Sequence, residues 1–230
     1  MSEDLVRRFF TGTGPTYELI VNLFTYGADR NWKKRLLARV PASAAKILDL
    51  GCGTGILTFA LASKFPKAQI VGVDMMPEYM AIAKREADLQ RIKNVRLICA
   101  RAEQVKLHET FDCITSSYVP KYVAADQLLE NISPFLKKGG KLALHDFAYP
   151  QRFLLRKIWG LHVGLMKYFG TPIFPRWKTI FYELGDLVRT TRWISDYLET
   201  LPRFGYKNIL VERLTAGSAA IISAEKSRKS

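Results

Sequence analysis

The sequence predicts an α/β fold: a doubly wound, mostly parallel sheet of seven strands, with helices on both faces and a C-terminal antiparallel hairpin. Three features predict it. The apolar run Ile47-Leu48-Asp49-Leu50 opens into Gly51-Cys52-Gly53-Thr54-Gly55, as a buried parallel strand does where its backbone must approach a ligand. A second apolar run, Gln69 to Val73, ends on Asp74, and helical and strand periodicities keep alternating after it. The last two strand-like runs, Ile209 to Leu214 and Ala219 to Ala224, are joined by the turn residues Thr215-Ala216-Gly217-Ser218.

Tyr17 to Phe24 and Trp32 to Val40 read as short amphipathic helices ahead of the first strand, and Leu57 to Phe65 as the helix after it. Glu78 to Leu89 is the helix after the second strand, with Pro77 in its first turn. Val95 to Glu103 supplies the third strand and the loop beyond it, and Phe111 to Ser116 a short fourth strand. Leu128 to Leu136 reads as a helix stopped by Lys137-Lys138-Gly139-Gly140, and Lys141 to Phe147 as the fifth strand. Leu154, Ile158, Leu161, Leu165 and Phe169 recur at helical spacing, and Ile194 to Phe204 carries a further helix. The tail, Lys226 to Ser230, is expected to fray. A single domain over 1–230 is expected, with 1–45 as helices over the glycine loop and 148–192 as a basic, aromatic lid or substrate segment.

A dinucleotide loop has the spacing G-x-G-x-x-G and cradles a pyrophosphate, whereas this loop is G-x-G-x-G with Asp49 two residues before it. An acid there suits a cationic ligand. Asp74 can take both ribose hydroxyls of a nucleoside, with Met75 against the base; the competing assignment makes Asp74 a plain cap for the next helix. Together these residues resemble the first motifs of class I S-adenosylmethionine-dependent methyltransferases. The resemblance implies their Rossmann-like fold, S-adenosyl-L-methionine as cofactor, and a binding set of Asp49, Gly51, Gly53, Asp74, Met75, Arg101 and Ala102, with Tyr17 and Ser116 beside them. That family often carries an Asp where this chain has Arg101, which leaves the backbone amides of Arg101 and Ala102 to read the adenine edge.

With 230 residues, 48% of them hydrophobic, the chain suits one core. Cys52, Cys99 and Cys113 form no C-x-x-C pair and are expected to be buried, reduced thiols; no metal is expected. Met1 to Arg8 is too polar for a signal peptide, and no apolar run reaches the ~18 residues of a membrane span, so a cytoplasmic setting is expected.

A net charge of +14 calls for an anionic partner, be it nucleic acid, a membrane face or a small molecule. Between Phe147 and Tyr182 there is no Asp or Glu, while Arg152, Arg156, Lys157, Lys167, Arg176 and Lys178 interleave with aromatic and aliphatic residues. The apolar stripe of that segment fits an anionic membrane surface, hence peripheral membrane association; a helix packed on the sheet as a lid is the alternative, and both can hold. A nucleic-acid amino methyltransferase would show Asn or Asp, then Pro-Pro and an aromatic, after the fourth strand. This chain has Thr115-Ser116-Ser117-Tyr118, so a nucleic-acid partner is not expected. Monomer and homodimer are both left open.

The remaining motifs are more particular. Phe10, Tyr17-Glu18, Asn22, Gly27, Arg30 and Trp32-Lys33, then Phe147-Ala148-Tyr149-Pro150 with Leu154-Leu155-Arg156-Lys157, resemble the entry helices and lid of ubiquinone and menaquinone biosynthesis C-methyltransferases. Phe204-Gly205-Tyr206 and Leu214-Thr215-Ala216-Gly217 resemble their terminal hairpin. The resemblance implies a lipophilic small-molecule acceptor, a reduced prenylated quinone precursor of demethylmenaquinol or ubiquinol-pathway type. Two positions depart from that family: Ile56 replaces an Asp, and Pro120-Lys121-Tyr122 replaces an Arg-Asn pair. Lys121 is therefore the residue placed to hold the acceptor's oxyanion, unless it is a solvated loop residue.

A quinol ring carbon becomes nucleophilic once the neighbouring hydroxyl loses its proton, which calls for a base or a stabilising cation. His145, beside Asp146 at the end of the fifth strand, is the candidate base, with burial in the core as the alternative. Tyr118 and Tyr149 are candidate contacts to the acceptor ring. An N- or O-methyltransferase of a phospholipid headgroup, or of another amphipathic small molecule, shares these features and is the alternative function.

Overall fold

Three helices, α1 (Glu3–Phe10), α2 (Tyr17–Phe24) and α3 (Ala28–Leu37), precede the first strand in a computed structural model that describes residues 3–228. Then come β1 (Lys46–Leu50), α4 (Ile56–Lys64), β2 (Gln69–Asp74), α5 (Pro77–Leu89), β3 (Val95–Cys99), β4 (Phe111–Ser117), α6 (Ala125–Ile132) and β5 (Leu136–Phe147). A helical insertion follows: α7 (Phe153–Leu165), a single turn α8 (Thr171–Ile173), α9 (Lys178–Thr190) and α10 (Trp193–Thr200). β6 (Tyr206–Leu214) and β7 (Ala219–Lys226) close the chain as a hairpin.

The strands form one sheet in the order β3-β2-β1-β4-β5-β7-β6, parallel from β3 to β5, with β7 antiparallel to both β5 and β6. The order reverses between β1 and β4. Such a switch point opens a crevice at the carboxyl ends of the strands, which is where this fold class binds ligands. β1 is buried on both faces: Ile47 joins Trp32, Leu36 and Leu61 on one side, while Leu48 and Leu50 join Phe111, Ile114 and Leu128 on the other. Each such side chain contributes about 1.5–3 kcal/mol by leaving water. A third cluster, of Phe9, Ile20, Tyr122, Trp177, Ile180, Phe181, Leu184 and Val188, roofs the carboxyl ends.

Several boundaries differ from the sequence-based expectation. The second N-terminal helix runs from Ala28 to Leu37, because Gly27 takes φ 75° and starts it early. The helix expected to reach Leu136 ends at Ile132, where Ser133-Pro134 tightens the chain into a 3₁₀ turn. Lys137-Lys138-Gly139-Gly140 lies within β5, in an irregularity where Phe111 pairs with Leu136 but Cys113 with Lys141. Cys52 and Cys113 are buried, but Cys99 is exposed, since β3 is an edge strand. Lys226 belongs to β7, and its ammonium donates to the carbonyls of Ser133 and Leu136 (2.5 and 2.8 Å). Of the tail expected to fray, positions 229 and 230 lie outside the described residues, as do positions 1 and 2 at the other end.

Candidate active site

The loop after β1 is fastened to the end of β2. Gly51 and Cys52 N–H both donate to the Val73 carbonyl (2.7 and 3.0 Å). Gly51 has φ 71°, and a Cβ there would come within 2.1 Å of a Val119 methyl, so both backbone and space require glycine. Asp74 accepts from Gly53 N–H through Oδ2 (2.9 Å) and from Met76 N–H through Oδ1 (2.8 Å). It therefore braces the head of α5 as well as the loop, and burial raises its pKa.

A cleft of about 750 Å³, counting its open mouth, lies over this loop. Tyr17, Gly51, Gly53, Asp74, Met75, Arg101 and Ala102, all expected from the sequence, line it, and Tyr79, Glu103, Ser117 and Tyr118 line it too. The Arg101 guanidinium pairs with Glu103 (Nε to Oε1, 2.7 Å). The donor set fits S-adenosylmethionine: a carboxylate for hydroxyls, an apolar slot of Met75, Ala100 and Ala102 for a base, and Phe10, Tyr17 and Tyr79 rings for a cation. The glycine loop itself carries no basic residue for a phosphate.

Two expected cofactor residues lie beneath the cleft and do not line it. Asp49 is 1% exposed, accepts from the hydroxyls of Thr58 (2.6 Å) and Thr115 (2.9 Å), and is pushed up to a pKa of about 6 by burial. It supports the loop from below. Ser116 is fully buried and donates to the Leu50 carbonyl (2.9 Å). Strand alternation turns its neighbour Ser117 to the cleft instead.

Beyond the cleft is a second, nearly apolar chamber, of about 460 Å³ with its mouth, that shares Phe10, Tyr17, Tyr118 and Tyr122 with it. Trp177, Ile180, Phe181 and Leu184 form its roof, with Phe147 opposite. Among the described residues, Lys121 is its single charged wall residue. The ammonium donates to Asp146 Oδ1 (2.7 Å) and the Tyr118 carbonyl (3.1 Å), and lies 4.1 Å from the centre of the Tyr122 ring. Asp146 also accepts the backbone N–H of Lys121 (3.0 Å) and of Phe147 (2.7 Å). With the Lys121 side chain 1% exposed, the solvated-loop assignment is excluded. Burial lowers the pKa of the ammonium, and the Asp146 carboxylate opposes that shift.

His145 is not at the chamber. Its ring is fully buried between Tyr118 and Trp32, Nδ1 is 2.9 Å from Ser117 Oγ, and burial drives its pKa well below the usual histidine value. The expected base is thus a core residue that orients Ser117. Tyr149 likewise lines neither space; it packs edge-on against Trp159 and under the Arg156 guanidinium, at the root of α7.

Tyr118 lies at the boundary of both spaces, and its hydroxyl donates to Asp29 Oδ1 (2.6 Å). Asp29 is in turn ion-paired to Lys33, one turn along α3, with both residues buried. Sequence reasoning passed over this dyad. The signal was present: Asp29 and Lys33 fall on the same i, i+3, i+4, i+7 stripe as Trp32 and Leu36, where charges have no place unless paired.

The stripe Leu154, Ile158, Leu161, Leu165 and Phe169 faces outward. Phe153, Leu154 and Leu161 are 73%, 68% and 66% exposed, while only Val163 of α7 is fully buried. The lid over the chamber comes instead from Trp177 and α9. Among the described residues no helix is long and apolar enough to cross a membrane.

A glycine-cradled nucleoside cleft at the switch point of a parallel sheet, opening onto an aromatic chamber, defines a group-transfer enzyme of the Rossmann-like class. Residues 41–163 match the model of the Methyltransferase domain family, and the chain belongs to that family as an S-adenosylmethionine-dependent methyltransferase. It is 27% identical to the demethylmenaquinone methyltransferase of Lactiplantibacillus plantarum, the match covering 97% of each chain. It is 26% identical to a ubiquinone/menaquinone biosynthesis C-methyltransferase of Syntrophotalea carbinolica, covering 96% of this chain and 94% of that one. Among solved structures, the plantazolicin methyltransferase BpumL with S-adenosylhomocysteine superposes at a TM-score of 0.65 and 14% identity over 96% of this chain and 94% of that one. Human N-acetylserotonin methyltransferase with S-adenosylmethionine gives 0.66 and 19% over 99% of this chain, which spans 60% of that longer one. These two likenesses are of fold.

Proposed function

We propose that the enzyme C-methylates a reduced, prenylated quinone precursor of demethylmenaquinol or ubiquinol-pathway type. The observation that carries this reading is the apolar, aromatic chamber beside the cofactor cleft, whose single charged wall residue, among those described, is Lys121. The names of the relatives at 26–27% identity support it.

Bound S-adenosylmethionine supplies an electrophilic methyl group on a sulfonium. The chain's part is to position the ring, exclude water and place charge. Gly51, Gly53, Asp74, Met75 and the Arg101-Ala102 backbone hold the cofactor, with Tyr17 over it. Lys121 stabilises the oxyanion of the acceptor hydroxyl as its proton departs. Tyr118, at the boundary of chamber and cleft with its hydroxyl donating to Asp29, offers that proton a hydrogen-bonded path away from the ring. The residues 148–192 serve as lid through α9 and as a seat on an anionic membrane through the outer face of α7, within a single domain over 1–230.

The test is transfer of label from S-adenosylmethionine into a total lipid extract, with and without reductant, followed by mass analysis. Labelled quinone that forms only with reductant is the expected result. Label in a phospholipid refutes the assignment in favour of a headgroup enzyme.

A further inference from the structure

The chamber has a back wall of two rings, Phe24 and Phe147, packed edge to face with centroids 5.9 Å apart. The same two rings form the inner wall of a third space, of about 700 Å³ with its mouth, bounded by the α2–α3 turn, the inner flank of α7 and the β6–β7 turn. Among the described residues, no Asp, Glu, Lys or Arg lines it. Its apolar surface comes chiefly from Trp32, Pro150, Leu155, Ile158 and Trp159. Two of its polar groups are tied off: Trp32 Nε1 donates to Thr215 Oγ1 (2.7 Å), and the Tyr26 hydroxyl is 2.9 Å from His162 Nδ1, joining the α2–α3 turn to α7.

We propose that this groove is the port for the acceptor's isoprenoid tail, which it leads from the chamber to the outer face of α7; the proposal rests on the quinol reading above. Three observations meet here. α9 and Trp177 line the side of the chamber away from Phe147, so a chain carried by a ring held there has its way out past Phe24 and Phe147. The partition toward the groove is two aromatic side chains, so the opening the port requires is a rotamer change of Phe24, which breaks no backbone hydrogen bond. The outer lip is Ile158, 56% exposed and next to Leu154 and Leu161 on the outward face. A chain leaving there passes onto an apolar, acid-free surface and not into water. The head is then methylated while the tail stays in the lipid phase.

The test uses short acceptors in vesicle-free solution, so that membrane seating plays no part. Reduced naphthoquinol without a tail and with a ten-carbon isoprenoid tail are compared on the wild type and on Ile158→Trp. The tailed acceptor is expected to show KM raised by about tenfold or more in the variant, the loss of roughly two buried methylenes, with the tailless acceptor unchanged. Equal effects on both, or on neither, overturn the port.

A second arm does not depend on methyl transfer. A brominated ten-carbon isoprenoid alcohol should quench tryptophan fluorescence, and the quenching should fall by about half or more in Trp159→Phe, contact with the ring being what the probe reports. Quenching that survives in Trp159→Phe but is lost in Trp177→Phe places the chain in the chamber alone and refutes the port. Quenching through Trp159 with no methylation of either naphthoquinol leaves the port standing and removes the quinol reading. Methylation of both with no quenching through Trp159 does the reverse.

Discussion

Replacing Lys121 by Met leaves the Asp146 carboxylate fully buried without its cation. Both side chains are at most 1% exposed, the regime in which breaking a pair costs about 3–5 kcal/mol. For a chain of this length each kcal/mol moves Tm by about 2–4 °C, so Lys121→Met should melt roughly 6–20 °C below the wild type. The second substitution must respect what else Asp146 does. It accepts the N–H groups of Lys121 and Phe147, and a leucine there would orphan two buried donors at about 1–3 kcal/mol each. Asp146→Asn loses the charge and keeps one of the two acceptor oxygens, leaving one of those backbone N–H groups unpaired, so Lys121→Met/Asp146→Asn should recover to within about 1–3 kcal/mol of the wild type.

The single variant should also behave differently with pH. Without the lysine, Asp146 titrates higher in the folded than in the unfolded chain; its stabilising contribution is then complete at low pH and lost as pH rises through the folded pKa. Urea unfolding at pH 5 and pH 8 reads this directly. If Lys121 holds the acceptor oxyanion, the double variant should be stable and yet slower by about 10²–10³ in kcat. Single variants within about 1 kcal/mol of the wild type would refute the buried-pair energetics. A stable double variant with full turnover would refute the role of Lys121.

Three further outcomes are expected. Asp74→Ala should weaken S-adenosylmethionine binding by about 1.5–3 kcal/mol, roughly 10- to 150-fold in Kd by calorimetry, because it removes the hydroxyl acceptor and frees Gly53 N–H. Asp49→Asn should stabilise the cofactor-free protein at pH 8 but not at pH 4. A folded pKa of about 6 against the ordinary 3.8 means stability falls as pH rises between them, by about 3 kcal/mol at most, and the amide escapes that loss; equal unfolding curves at pH 8 would contradict it. Cosedimentation with anionic vesicles should decline when salt shortens the screening length from about 10 Å at 0.1 M to about 3 Å at 1 M, and should fall further in Leu161→Asn; binding indifferent to both would disprove the α7 seat.

The lining of the cleft was legible because it is local. Gly51, Gly53, Asp74 and Met75 line the cleft as their spacing suggested, since a strand, a turn and a following acid fix one another within a few residues. Ser116 was misplaced by one position, which in a strand means the opposite face. The chamber is assembled from α1, α2, the β4–α6 loop and α9, far apart in the chain, so Lys121 was named without its partner Asp146 and the Asp29–Lys33 dyad was missed. Periodicity located the apolar stripe of α7 correctly but could not say whether it turned inward or outward. That is decided by α9, which takes the roofing position with Ile180, Phe181 and Leu184.

The roof cluster around Trp177 and Phe181 shares no buried side chain with the two clusters that flank the sheet. It meets them through half-buried Val123 and Phe147, so most of its residues can be exchanged without touching the strands that carry the glycine loop. On the acceptor reading proposed above, such a roof lets the choice of acceptor drift while the methyl donor stays fixed. On that reading, changes in α9 reshape the chamber without touching the donor cleft, whereas changes in α1 or α2 also move Phe10 and Tyr17, which line both spaces.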